Sequence, residues 1–248
     1  MNPSFATRHP SWFVALLEVA VVLAYLLAGT VAHVLRLPNA AIYGLANLGL
    51  ALLVALLLTR MGWWRTVGLR REMPRDLRYF ALPFLPMLVN MVPGVDLRSF
   101  AFVLGMLAIA LLVGFVEEGV FRGLMLRALL PRGPWTAVVA TAVLFGLTHA
   151  LNVLAGKSPV DDAAQVCYAL AVGFAFAAVA LRTGFLWPLV VAHGLIDFAS
   201  YVQADVTYPA GLDLAIVAAM TAVFAGYGLF LMRRPPEAIT GAVPAGAG

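Results

Sequence analysis

Seven ionisable residues of this chain lie inside strongly apolar runs: Glu18, Glu117, Glu118, Arg122, His149, His193 and Asp197. Ionisable groups are costly to hold in apolar surroundings, so each is a candidate for chemistry. In GFVEEGVFRGLML, Glu118 and Arg122 stand four apart, the favourable helical order for an acid–base pair, and the pair is expected to neutralise itself. Glu117 points ~100° away round the helix, so it is expected to lack a local partner. His149 follows in FGLTHALN, beyond the helix-breaking Pro131-Arg132-Gly133-Pro134. Glu117 and His149 are each sixteen residues from Gly133. At ~1.5 Å per residue, an antiparallel hairpin turning there holds both side chains ~24 Å from the turn. In LVVAHGLIDF, His193 and Asp197 share a helix face, four residues apart. With Arg127 taken as the interface, Glu117 lies ~15 Å in, and His193 stands at the same depth, ~15 Å from the turn at Thr183-Gly184.

Two chemistries suit this set. Glu117, His149 and His193 have the types of a catalytic zinc site that keeps one position for water. Alternatively, Glu117 and His149 activate a water while His193 and Asp197 stabilise an oxyanion. Spacing alone does not choose between them. Glu18 and His33 stand near the ends of their span, where packing or snorkelling is the expected role.

The elements that position these residues are membrane spans. Of 248 residues, 63% are hydrophobic and 11% are charged, with a mean hydropathy of +0.95. Soluble domains carry roughly a quarter charged residues. Apolar runs of about 17–25 residues cross a bilayer as helices. Eight are expected, near 11–35, 39–59, 78–93, 99–126, 134–152, 163–181, 185–203 and 212–232. The third is the weakest, being short and carrying Pro83 and Pro86. The first is read as a span, since its apolar stretch is too long for a leader and lacks a convincing cleavage site. The expected organisation is one all-α transmembrane domain over 1–234 and a disordered cytoplasmic tail over 235–248, with no internal repeat. The single Cys167 excludes an intramolecular disulfide and a Cys-rich zinc site.

Charge orients the chain. Alternate connectors carry Arg8; Arg60, Arg65, Arg70, Arg71, Arg75 and Arg78; Arg127 and Arg132; Arg182; Arg233 and Arg234. The opposite connectors carry only Arg36, Arg98 and Lys157, beside Asp96, Asp161, Asp162, Asp205 and Asp213. The positive-inside rule therefore puts both termini in the cytoplasm; the expected location is a prokaryotic inner membrane. The high pI does not imply nucleic-acid binding, because the basic residues are spread over short connectors. Trp63 and Trp64, with the WRTVGLRR run, suit an interfacial segment.

The ordered set Glu117-Glu118-xxx-Arg122, Phe145-xxx-His149 and His193-xxx-Asp197 resembles the three motifs of the CPBP intramembrane proteases. That family includes the Rce1-type CAAX prenyl endopeptidases and bacteriocin-processing and self-immunity proteins. The likeness covers residues 113–200. It implies about eight transmembrane helices around a polar cavity that opens toward the cytoplasm or the lipid, with cleavage near the cytoplasmic side. It also implies that Glu117 and His149 activate water, that His193 and Asp197 complete the site, and that Glu118 and Arg122 hold Glu117 in place. The CAAX enzymes usually have Asn where this chain has Asp197; an Asn amide donates a hydrogen bond, and an ionised Asp does not. That departure favours a divalent metal such as zinc held by Glu117, His149, His193 and Asp197, over a metal-free glutamate protease. The expected partners are the lipid bilayer and a membrane-associated peptide: a prenylated CAAX-like peptide, a leader peptide or a sorting-signal tail. The alternatives are a non-catalytic scaffold or immunity protein, and a proton-coupled transporter. The complete motif set opposes the first, and the lack of a repeat opposes the second. No HExxH, GxGD or GxSG motif is present.

Overall fold

The computed structural model describes residues 3–37, 39–69, 77–151, 158–206, 209 and 211–233. Arg70, Arg71, Arg75, Lys157, Arg234 and the tail over 235–248 lie outside the described residues. The chain is all-helical: among the described residues there is no strand, and an isolated antiparallel bridge joins Val95 to Gln203.

A short helix, α1 (Pro3–Arg8), leads into α2 (Pro10–Leu35) and α3 (Asn39–Met61). Pro10 supplies the preset φ suited to a first helical position. Arg36, at φ 52°, closes α2 in the left-handed conformation, with its N–H on the Ala32 and His33 carbonyls. The weak third run is broken around its prolines into α4 (Arg78–Ala81), a 3-10 turn and α5 (Leu85–Met91). Ser99 then caps α6 (Phe100–Glu117), its hydroxyl accepting from the Phe102 N–H. A π-helical stretch (Glu118–Met125), α7 (Leu126–Leu129) and a 3-10 turn carry the same rod to Arg132. Gly133, at φ 103°, turns the chain into α8 (Pro134–His149). The last three helices are α9 (Pro159–Thr183), α10 (Trp187–Tyr201) and α11 (Leu212–Met232).

Each of the eight expected runs contains helix among the described residues, but not all are full length. Among the described residues, five helices are long and apolar enough to cross a membrane: Pro10–Leu35, Ile42–Met61, Phe100–Arg132, Pro159–Thr183 and Leu212–Met232. The third run is interrupted, and α8 and α10 have 16 and 15 residues. A full crossing takes about 20. The short helices pack on long neighbours, α8 against α9 and α10 against α6 and α5. Large apolar side chains such as Leu23, Leu27, Leu52, Val92 and Phe100 are exposed. A water-facing surface would not tolerate so many; a lipid-facing one requires them.

Helix α10 lies against α6 through two glycines. A Cβ on Gly114 would come 2.6 Å from the Val190 carbonyl oxygen and 2.8 Å from the Gly194 nitrogen. A Cβ on Gly194 would come 2.9 Å from the Leu111 Cα. Small residues let membrane helices approach backbone to backbone. This approach sets the residues that follow Gly114 beside His193, the neighbour of Gly194.

Candidate active site

Glu118 is the centre of the polar cluster. It is fully buried, and its Oε1 receives a 2.9 Å hydrogen bond from Arg122 Nη1. The same oxygen lies 2.8 Å from His193 Nδ1. The expectation that Glu118 and Arg122 only neutralise each other is therefore incomplete: Glu118 also holds a histidine on another helix. Within a π-helical stretch the chain carries an extra residue per turn, a feature that recurs at functional sites.

Glu117 is not without a neighbour either. Its Oε2 lies 3.4 Å from His193 Nε2 and accepts no hydrogen bond. The two adjacent glutamates, pointing apart on their helix, reach opposite nitrogens of one imidazole. Asp197 Oδ2 stands 3.8 Å from the same Nε2. Three carboxylates therefore lie within 4 Å of one ring.

His149 is held separately. Its Nδ1 donates to the Phe145 carbonyl at 2.8 Å, which leaves Nε2 for the space in front of it. The Phe145 ring lies between the parts: 4.7 Å from the His149 ring, 6.0 Å from the His193 ring and 4.2 Å from the Arg122 guanidinium carbon. Phe176 meets His193 edge-on from the other side. Arg122 is thus enclosed by aromatic faces, which attract a cation and exclude water.

A cavity of about 960 Å³ brings the set together. Glu117, His149, His193 and Asp197 all line it, with Tyr25, Asn47 and other residues of α2 and α3. Tyr25 donates to Asn47 Oδ1 at 3.0 Å across these two helices. Glu18 is not isolated: its Oε1 accepts from Thr148 Oγ1 at 2.8 Å, next to His149. His33 also lines the cavity. Sequence reasoning passed over Phe145 as a contact hub, the Gly114–Gly194 approach and the Tyr25–Asn47 pair. Two glycines in apolar runs were the available signal for the approach. Nothing local announces the tyrosine pair, whose members are 22 residues apart.

The donor types suit a divalent cation, since two imidazoles each have Nδ1 engaged and Nε2 left. Their spacing does not: among the described residues no group of three or more His, Cys, Asp or Glu is gathered as a ligand set.

Residues 99–199 match the model of a family described as Type II CAAX prenyl endopeptidase Rce1-like. The match contains all three motifs and bears out the resemblance read from them. No curated protein and no solved structure matches the chain.

Proposed function

We propose that this integral membrane protein, an Rce1-like chain over residues 99–199, is an intramembrane endopeptidase that uses Glu117 and His149 to activate water. The observation that carries this is the shared cavity, with a Glu117 oxygen that accepts no hydrogen bond and the His149 and His193 rings on its wall. The full reading is a single domain whose eight helical segments enclose a polar intramembrane cavity.

The chemistry follows from the contacts. Glu117, with His149 facing the same space, takes a proton from a water whose oxygen adds to the scissile carbonyl carbon. His193, anchored through Nδ1 to Glu118, offers Nε2–H, when protonated, to the oxyanion that forms. Preorganised donors of this kind supply much of the stabilisation in acyl transfer. The tetrahedral intermediate then collapses, the C–N bond breaks, and the proton taken from water passes to the leaving amine. Arg122 and Glu118 act on the reaction only by holding His193 in place. A metal held by Glu117, His149, His193 and Asp197 is the second reading, favoured by the carboxylate at position 197. It requires these side chains to draw closer than they stand, and no step above runs through it.

Glu117→Gln keeps the side-chain volume and removes the base. It is expected to lower cleavage of a verified membrane-associated substrate by about 10²- to 10⁴-fold, with insertion and thermal stability retained. Full activity in this variant would rule the mechanism out. Chelator treatment of the wild-type protein in the same assay separates the two readings: retained activity supports the metal-free one.

A further inference from the structure

The cavity is one-sided. On α6 it runs from Glu117 back to Met106, ~16 Å towards the helix start. On α2 it runs from Tyr25 towards His33, and on α10 from His193 to Tyr201. On α8 it takes the last turn, and on α9 a residue near the start, Gln165. All these directions lead to the same end of the bundle, where Arg36, Asp96, Arg98 and Asp205 stand. Towards the opposite end the interior next to the site is filled, and a separate small hollow there, lined by Pro134, Trp135, Arg182 and Leu231, includes no residue of the site. Phe121, Leu124 and Met125 follow Glu118, and Leu186 and Leu189 precede His193; all five are fully buried. Beyond them lie Arg127, Arg132 and Arg182, on the side that the charge bias assigns to the cytoplasm.

We infer that water and substrate reach Glu117 and His193 from the non-cytoplasmic face of the membrane. The substrate class is then a polypeptide segment that has already crossed the membrane, cut while still tethered to it. A tail lipidated in the cytoplasm meets the packed side of the bundle instead. The inference rests on the proposed hydrolysis for what happens at the site, and on charge and packing for how the site is reached.

The test is side-specific thiol labelling on a Cys167→Ala background, with single cysteines at Thr30, Ser200 and Arg65, all exposed positions. Thr30 and Ser200 line the cavity, whereas Arg65 belongs to the Arg-rich side. A membrane-impermeant maleimide is applied to right-side-out and to inside-out vesicles. Thr30→Cys and Ser200→Cys are expected to react only from outside, and Arg65→Cys only from inside. Outside modification of Ser200→Cys is expected to abolish cleavage. Reaction of the cavity cysteines from the cytoplasmic side overturns the inference. So does their silence towards the impermeant reagent on both faces when a permeant maleimide reacts, and so does labelling of Arg65→Cys from outside. Labelling needs no turnover and can be repeated in Glu117→Gln. Its outcome is therefore independent of whether the chain is a protease.

Discussion

Glu118 carries two obligations on one oxygen, to Arg122 and to His193. Removing either partner of the buried pair leaves an uncompensated charge, which costs ~3–5 kcal/mol. Glu118→Gln and Arg122→Met are each expected to lower folded yield, read by detergent-solubilised thermal unfolding. Joint replacement by apolar residues is expected to recover yield but not cleavage, because His193 has lost its anchor. Normal activity in the double variant would show that Glu118 does not position His193. Asp197 invites a separate test. In a metal-free site, Asp197→Asn exchanges an acceptor-only carboxylate for an amide that donates to an oxyanion. Cleavage is then expected to persist or rise. If position 197 instead supports a metal from outside the ligand set, metal affinity falls by about 10- to 100-fold, measured by equilibrium dialysis.

At the scale of elements, the site exists because α10 lies on α6 with backbone contact. Gly114→Ala puts a methyl group 2.6 Å from a carbonyl oxygen that belongs to a helix backbone and cannot rotate aside. The helices must part, at a cost of ~1–3 kcal/mol. The same displacement draws His193 away from Glu117 and Glu118. Gly114→Ala is therefore expected to lower the unfolding temperature and to lose most cleavage, whereas Gly105→Ala, where an added Cβ meets nothing within 4 Å, is expected to leave both unchanged. The far ends of α6 and α10 are tied as well. The Asp96 N–H donates to the Val202 carbonyl at 2.7 Å, and the Ala204 N–H to the Gly94 carbonyl at 3.0 Å. Beside this tie the Arg98 guanidinium, hydrogen-bonded to Asp96, holds the Asp96 carboxyl below its usual range.

At the scale of the molecule, orientation decides which compartment supplies the substrate. A disulfide-dependent phosphatase folds only outside a reducing cytoplasm. Fused after Arg233, it is expected to be inactive; fused after Asp205, it is expected to be active. The reverse pattern would invert the bundle and the proposed route of access together.

Composition and run length by themselves determined that the chain is helical and membrane-spanning, because continuous apolar runs of about 20 residues fit a helix, which satisfies its backbone polar groups within one segment, and are too long for barrel strands. The motif spacing likewise determined which residues share a region, since a helix converts residue count into height. Glu117, His149, His193 and Asp197 were therefore legible before any coordinates, and each lines the cavity. Three things depended on the tertiary structure. One is that α8 and α10 are shorter than a full crossing, since packing on α9, α6 and α5 hides ends that an isolated helix would have to extend through lipid. Another is that both glutamates reach one histidine, a consequence of how closely Gly114 and Gly194 let two backbones approach. The third is the side from which the cavity opens. Sequence periodicity reports which residues face inward; whether that interior is filled by Phe121, Leu124 and Leu189 or left open above Glu117 depends on how side chains from separate helices fit together.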